Sequence, residues 1–288
     1  MKIKDYFIVV SILFFIASFL FYKLIDGSYL FTSGDSLSPI AVKNAIKLYV
    51  DSYGDFPLWF PWILGGIPTI HSFLSISNYY FPHHLMLFLN DLGLSWNWYF
   101  ILHLIFGGLG FYKLISFFKL DKSTALFGSI LFLLMPYLTV MFAYGHGSQM
   151  MAASYIPWII LYLFKIYDNY KIENFLLFSI FVGLQLQRGH VQISYYTWMM
   201  IGLFFVFFIP KLFDNNFEYR YKLLKKKISL LLSLFIGLCL SFSIYLPILK
   251  YSSNSIRGSN IGGGAGIEYA TQWSLSFKEF FTFIFPYS

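Results

Sequence analysis

Residues 1–25, MKIKDYFIVVSILFFIASFLFYKLI, set two lysines before an apolar run of about twenty residues, the length a helix needs to cross a hydrocarbon core. The run stays bulky through Phe21 and Tyr22 and lacks the small-residue site that closes a signal peptide, so it reads as an uncleaved first span. Composition carries that reading to the whole chain. In 288 residues, 58% are hydrophobic, 23% aromatic and 11% charged, and the mean hydropathy is +0.66. Too little polar surface remains to clothe a soluble domain. The chain is predicted to be an all-α integral membrane protein. Further apolar runs near 95–118, 122–142, 151–167, 174–188, 193–210 and 228–249 bring the expected total to about seven transmembrane helices. Cys239, the single cysteine, allows no intramolecular disulfide and no cysteine-based metal site, and it reads as a small buried apolar residue in the last of these runs.

Between the first two runs lies a long first outer loop, 26–94. It opens on GDSLSPI, Gly34–Ile40. A loop of about 70 residues is long enough to suggest function rather than connection. Within it, Ile40, Ala41, Ala45, Leu48 and Tyr49 fall near helical spacing beside Lys43, Asn44 and Lys47, predicting an amphipathic helix at the membrane surface. Prolines and glycines in FPLWFPWILGGIPTI and SNYYFPHHLMLFLND forbid a continuous span and predict short helices and re-entrant pieces. The expected organisation is a bundle over 1–249. The remainder, 250–288, is a glycine- and serine-rich outer loop and the start of a further apolar segment, as if the chain belonged to a longer protein.

Basic residues orient the bundle. With the N-terminus inside, 13 of the 20 lysines and arginines fall on the inner side, the densest being KLLKKK at 222–227. That cluster reads as an anchor on anionic membrane lipid rather than a nucleic-acid patch. All six histidines then fall outside or in the outer half of a span.

The candidate chemistry follows from that sidedness. His146 and His190 sit in short outer turns, each directly after a glycine that lets the backbone turn tightly. Arg188 stands beside His190, and a guanidinium at a membrane surface suits phosphate, which it grips by paired hydrogen bonds. Each has a plainer reading: Asp35 as a helix cap, Arg188 as a side chain reaching lipid headgroups, and His83 and His84 as packing or headgroup contacts. Trp59 and Tyr80 can stack on sugar rings or anchor the interface. His71, individually uninformative, completes the candidate set. No metal-ligand spacing is present, and a divalent ion at Asp35 stays compatible with the sequence without being required.

The order of these segments resembles a family. GDSLSPI, followed by FPLWFPWILGGIPTI and NYYFPHHLMLF, resembles the first outer loop of YfhO-like bacterial membrane proteins. GHGSQMMAASYIPWIILYL (145–163) and QRGHVQISYY (187–196) resemble that family's two later glycine-histidine turns. The sequence departs at Phe60, where Asn is common, and at His83–His84, where Pro-Asn is common. The family is similar in design to glycosyltransferase superfamily C, multi-span enzymes of the cytoplasmic membrane that use polyprenyl-phosphate-linked sugars. The resemblance implies Asp35 as the catalytic acidic residue, a lipid-linked sugar donor, an extracytoplasmic cell-envelope acceptor and no bound cofactor. A direct displacement with Asp35 as base and cations on the departing phosphate would invert the anomeric centre. The alternatives are a polytopic transporter or lipid flippase, or a non-catalytic envelope-assembly subunit. Alternating access calls for midplane ionisable groups and symmetric halves, which the sequence does not display.

Overall fold

The opening run folds as helix α1, Ile3–Leu20, in a computed structural model that describes residues 3–70, 76–207, 217–254, 266–272, 274–283 and 285. Val9, Leu13 and Ala17, four residues apart, form its buried stripe, while Phe7, Phe15 and Phe19 point outward at 74%, 71% and 84% exposure. Rings left that open suit hydrocarbon as the solvent. The central element is α4, Trp98–Phe117, on which α1, α5 (Lys122–Leu133), α7 (Gly147–Ser154) and α8 (Ile156–Asp168) all pack. A Cβ on Gly107 would stand 2.5 Å from the Phe132 ring, and one on Gly110 would stand 2.5 Å from the Trp158 indole. Bare backbone at these two positions lets neighbouring helices close in, the packing used where lipid removes the hydrophobic drive between apolar helices.

Prolines divide two of the expected spans. The helical ladder breaks before Pro136, separating α5 from α6 (Pro136–Ala143), and again before Pro157, separating α7 from α8. Taken end to end, Lys122–Ala143 and Gly147–Asp168 are still 22 residues each. With α4 they are the three helical segments, among the described residues, that are long and apolar enough to cross a membrane. The expected span 228–249 is likewise interrupted, into α11 (Phe217–Cys239) and α12 (Phe242–Ser252), and this broken pair makes a fourth candidate if it counts as one span. Asp5–Leu20, α9 (Ile172–Gln187) and α10 (Val191–Phe207) are apolar but shorter. A 17-residue helix rises about 25 Å against a hydrocarbon core of roughly 30 Å. The fold is therefore that of a helical membrane protein with three to four candidate crossings among the described residues, where the sequence suggests about seven. Cys239, expected to be buried, is exposed.

The first outer loop contains the predicted amphipathic helix, α2, Gly34–Tyr53. Ser33 caps it: the backbone is extended at φ −62° and ψ 154°, and its Oγ accepts from the Ser36 N–H at 3.3 Å. Asp35, expected in a turn or as a cap, lies instead in the first helical turn. At the other end Gly54, φ 79°, takes the left-handed conformation and donates its N–H to the Val50 carbonyl. The segment FPLWFPWILGGIPTI forms a short antiparallel hairpin, β1 (Trp59–Phe60) with β2 (Ile67–Pro68). A 3₁₀ turn, Ile76–Tyr79, leads into α3, Phe81–Asp91, which starts on Pro82 in its first turn.

The chain divides into two compact units, Met1–Ile244 and Tyr245–Ser288. In the second, α13 spans Ile267–Thr271, and a 3₁₀ turn at Glu279–Phe283 begins on a reciprocal cap. There the Ser276 N–H donates to Glu279 Oε2 at 2.7 Å, and the Glu279 N–H donates to Ser276 Oγ at 3.3 Å. Every candidate residue belongs to the first unit.

Candidate functional site

The N-terminus of α2 is seated on the turn between α6 and α7. Ser36 Oγ donates to the Ala143 carbonyl at 3.1 Å, and Ser33 Oγ reaches the same oxygen at 3.5 Å. Gly145, φ +88°, makes the closest approach, since a Cβ there would lie 2.2 Å from the Asp35 carbonyl. Pro39 contributes from within α2: having no N–H, it cannot cap the carbonyl four residues back, which is that of Asp35. The outcome of this docking is that Asp35 Oδ2 stands 3.5 Å from His146 Nε2, with both side chains open to solvent. Two residues 111 positions apart in the chain thus face each other.

His190 lies close by. Its Nδ1 accepts from the Ile193 N–H at 3.4 Å, which places any proton of the neutral ring on Nε2. Burial, and next the neighbouring His146, lower its pKa from the ordinary value. Gly189, φ +70°, supplies the turn that lifts His190 away from α9.

Arg188 occupies a different environment. It caps α9, is 5% exposed, and donates from one terminal nitrogen to Tyr99 Oη at 3.0 Å. Its guanidinium carbon sits 4.9 Å from the Tyr80 ring centre and 5.7 Å from that of Tyr99. The ion pairs among the described residues are Asp5–Lys122, Asp35–His146 and Glu218–Lys222, so no described carboxylate pairs with Arg188. Its Nε is buried and has no hydrogen-bond partner there. Ring faces offset part of the cost of a buried cation, about 2 kcal/mol when desolvated. Removing the charge from water costs several kcal/mol more.

A hydrogen-bonded chain holds those rings. His103 Nδ1 lies 2.6 Å from the Tyr99 carbonyl, which can only accept, so Nδ1 carries the proton and Nε2 accepts from Tyr80 Oη at 2.6 Å. Tyr80 Oη has then used its own proton, and Tyr155 Oη must donate to it. Tyr80, considered from sequence as a sugar platform, is fully buried with Arg188 over its face, and its place is in this network. Its hydroxyl pKa is pushed well up, by burial first and then by Tyr155. Trp59 is exposed, on the hairpin, and His71 lies outside the described residues.

Beside the network, α3 brings in a residue that sequence assigned to packing or headgroup contact. His83 is 8% exposed, with its ring 5.4 Å from that of Trp96 and 5.8 Å from that of Tyr99, and its Nδ1 is buried without a partner among the described residues. Burial lowers its pKa to about 4, with Arg188, His84 and Lys43 adding to the effect. Lys43 of α2 lies with Nζ 3.9 Å above the Trp96 ring, and burial lowers its pKa too, with Lys47 adding to it. One signal for the cluster was present in the sequence: Tyr99 and His103 stand four apart and so share a helical face.

A cavity of about 270 Å³ opens against the same cluster. Its apolar walls include Leu85 and Leu89 of α3, Leu102 and Phe106 of α4, and Phe181 and Leu184 of α9. Tyr99, His103 and Tyr155 line it as well. Among the described residues, no group of three or more His, Cys, Asp or Glu side chains is placed to hold a metal ion. No family model matches the sequence, and no curated protein or solved structure matches it either.

Proposed function

We propose that the protein is a membrane glycosyltransferase that moves a sugar from a polyprenyl-phosphate carrier to an acceptor outside the cytoplasmic membrane of a bacterium. The observation that carries the reading is the seating of α2 on the α6–α7 turn, which sets the Asp35 carboxylate 3.5 Å from His146. The resemblance to YfhO-like proteins is the second support, because it assigns catalysis to an acidic residue in the first outer loop. In the proposed reaction Asp35 takes the proton of an acceptor hydroxyl as its oxygen forms a bond to the anomeric carbon. The bond from that carbon to the phosphate oxygen breaks in the same displacement, and the phosphate leaves with the electron pair. His146 holds the carboxylate in place, His190 lies alongside, and Arg188 neutralises the departing phosphate. The exposure of Asp35 leaves room for an acceptor, and the buried Arg188 suits a donor that arrives from the lipid side.

The test is turnover by the full-length protein in its native lipids, followed by mass spectrometry of the lipid-linked sugar. Asp35→Asn should fold and insert normally yet lower transfer by roughly two to four orders of magnitude. Normal turnover in that variant would remove Asp35 as the base. Passage of an intact solute across vesicles with no bond broken would move the protein to the transporter class.

A further inference from the structure

Three buried side-chain nitrogens in the first unit lack partners among the described residues, those of Arg188, His83 and Trp198, and the first two belong to side chains packed on Tyr99. Arg188 Nε and His83 Nδ1 each have less than one square ångström open to solvent, and the residues are 5% and 8% exposed. Each is a potential donor, and a buried donor left unmade costs about 1–3 kcal/mol, more when the group is charged. Lys43 and His84 stand near His83 as well, so the charges that act on it are all of cationic type. The apolar cavity between α3, α4 and α9 adjoins the same tyrosine. A buried cation and a second, neutral donor alongside an apolar groove are complementary to one kind of molecule, an amphiphile with an anionic head and a hydrocarbon chain.

We infer that His83 and Arg188 together form a two-point site for the phosphate head of a lipid whose chain enters the cavity between α3, α4 and α9. The inference rests on the proposed function for the identity of that lipid as a polyprenyl phosphate, and it adds His83 as a specificity-determining residue. His83 stands where the resembling family commonly has proline, so this donor is a feature of the present chain. Tyr99 lies between the two parts: its hydroxyl accepts from Arg188, its ring packs on His83, and it also lines the cavity. With Nδ1 protonated, His83 donates to a phosphate oxygen, while Arg188 contributes Nε–H and the charge.

Equilibrium binding tests this without requiring catalysis. The full chain in detergent is titrated with a fluorescent polyprenyl monophosphate, and unlabelled polyprenyl monophosphate, neutral polyprenol of the same length and inorganic phosphate compete. The monophosphate should compete at least about tenfold better than the polyprenol, and inorganic phosphate should not compete in the same range. His83→Phe keeps a ring and loses the donor, and Arg188→Lys keeps the charge and loses Nε. Each should cost the phosphate lipid about tenfold and leave polyprenol unchanged. Should either variant elute as aggregate, Leu184→Trp reports instead, by narrowing the cavity and weakening both lipids together. Parent-like binding by His83→Phe, equal binding of polyprenol, or displacement by inorganic phosphate at lipid concentrations would each overturn the inference. Lipid binding as described, with no sugar transfer by the native protein, would sink the transferase reading and leave this site standing.

Discussion

Gly145 decides whether Asp35 and His146 meet. Its φ of +88° is a conformation that side chains with a Cβ rarely adopt, and its bare α-carbon is what admits the Asp35 backbone. Gly145→Ala should therefore destabilise the protein by at least about 1–2 kcal/mol and unseat the start of α2. A disulfide engineered between Ser36→Cys and Ala143→Cys reads the docking directly: it should close readily in the parent background and poorly with Gly145→Ala. Arg188 presents the opposite situation, a side chain whose surroundings are well made on one edge and open on the other. Tyr99 and the Tyr80 face hold it, while Nε stays without a described partner. A group stationed that way at a cost is a better candidate for binding an anion than one reaching into solvent.

Helix α2 and helix α3 bring the outer loop onto the bundle by different means. For α2 the contribution is its capped end: Ser33→Ala should cost about 1 kcal/mol in thermal unfolding and loosen the Ala143 contact that its Oγ shares with Ser36. For α3 it is the buried His83 ring, and here pH is the probe. The folded pKa of about 4 lies below the ordinary 6.5, so between those values the unfolded chain binds a proton that the folded one excludes. Stability is complete above pH 6.5 and falls as the pH drops toward 4, by up to about 3 kcal/mol from this residue. Arg188, His84 and Lys43 all oppose protonation there. Thermal midpoints measured from pH 7 to pH 4 should drop less in His83→Phe than in the parent. Equal drops would show that His83 is not the group responsible.

At the scale of the molecule, neighbouring helices close in on α4 where Gly107 and Gly110 leave its backbone bare. Gly110→Leu would drive a side chain into the Trp158 indole and should cost about 1–3 kcal/mol, measured as a lowered unfolding temperature. Sidedness is open to a chemical test once Cys239 is replaced. A cysteine at Ser148 should react with a membrane-impermeant reagent in intact cells, and one at Lys225 only in broken cells. The motivating observation is the 13-to-7 division of basic residues between the two sides. Labelling of Ser148→Cys only in broken cells would place the Asp35–His146 pair on the cytoplasmic face and end the proposal of an extracytoplasmic site.

The sequence by itself determined the solvent of this protein. Apolar composition and run length demand helices in lipid, and the prolines and glycines of the first outer loop divide it into short pieces by a local rule that holds wherever the segment lies. It also singled out Asp35, His146, His190 and Arg188, because charged and titratable groups are scarce in such a chain. The crossings were less legible, since a run of bulky residues does not disclose where its helix will end, and α9 and α10 stop short of the bilayer thickness. Only the tertiary structure decided that Asp35 faces His146 while Arg188 withdraws among tyrosines, and that Tyr80 and His83 belong to the interior. The physical reason is that pairing and burial depend on which backbones can approach. That is set by contacts such as Gly145 on Asp35, between residues remote in the chain and invisible to any local pattern.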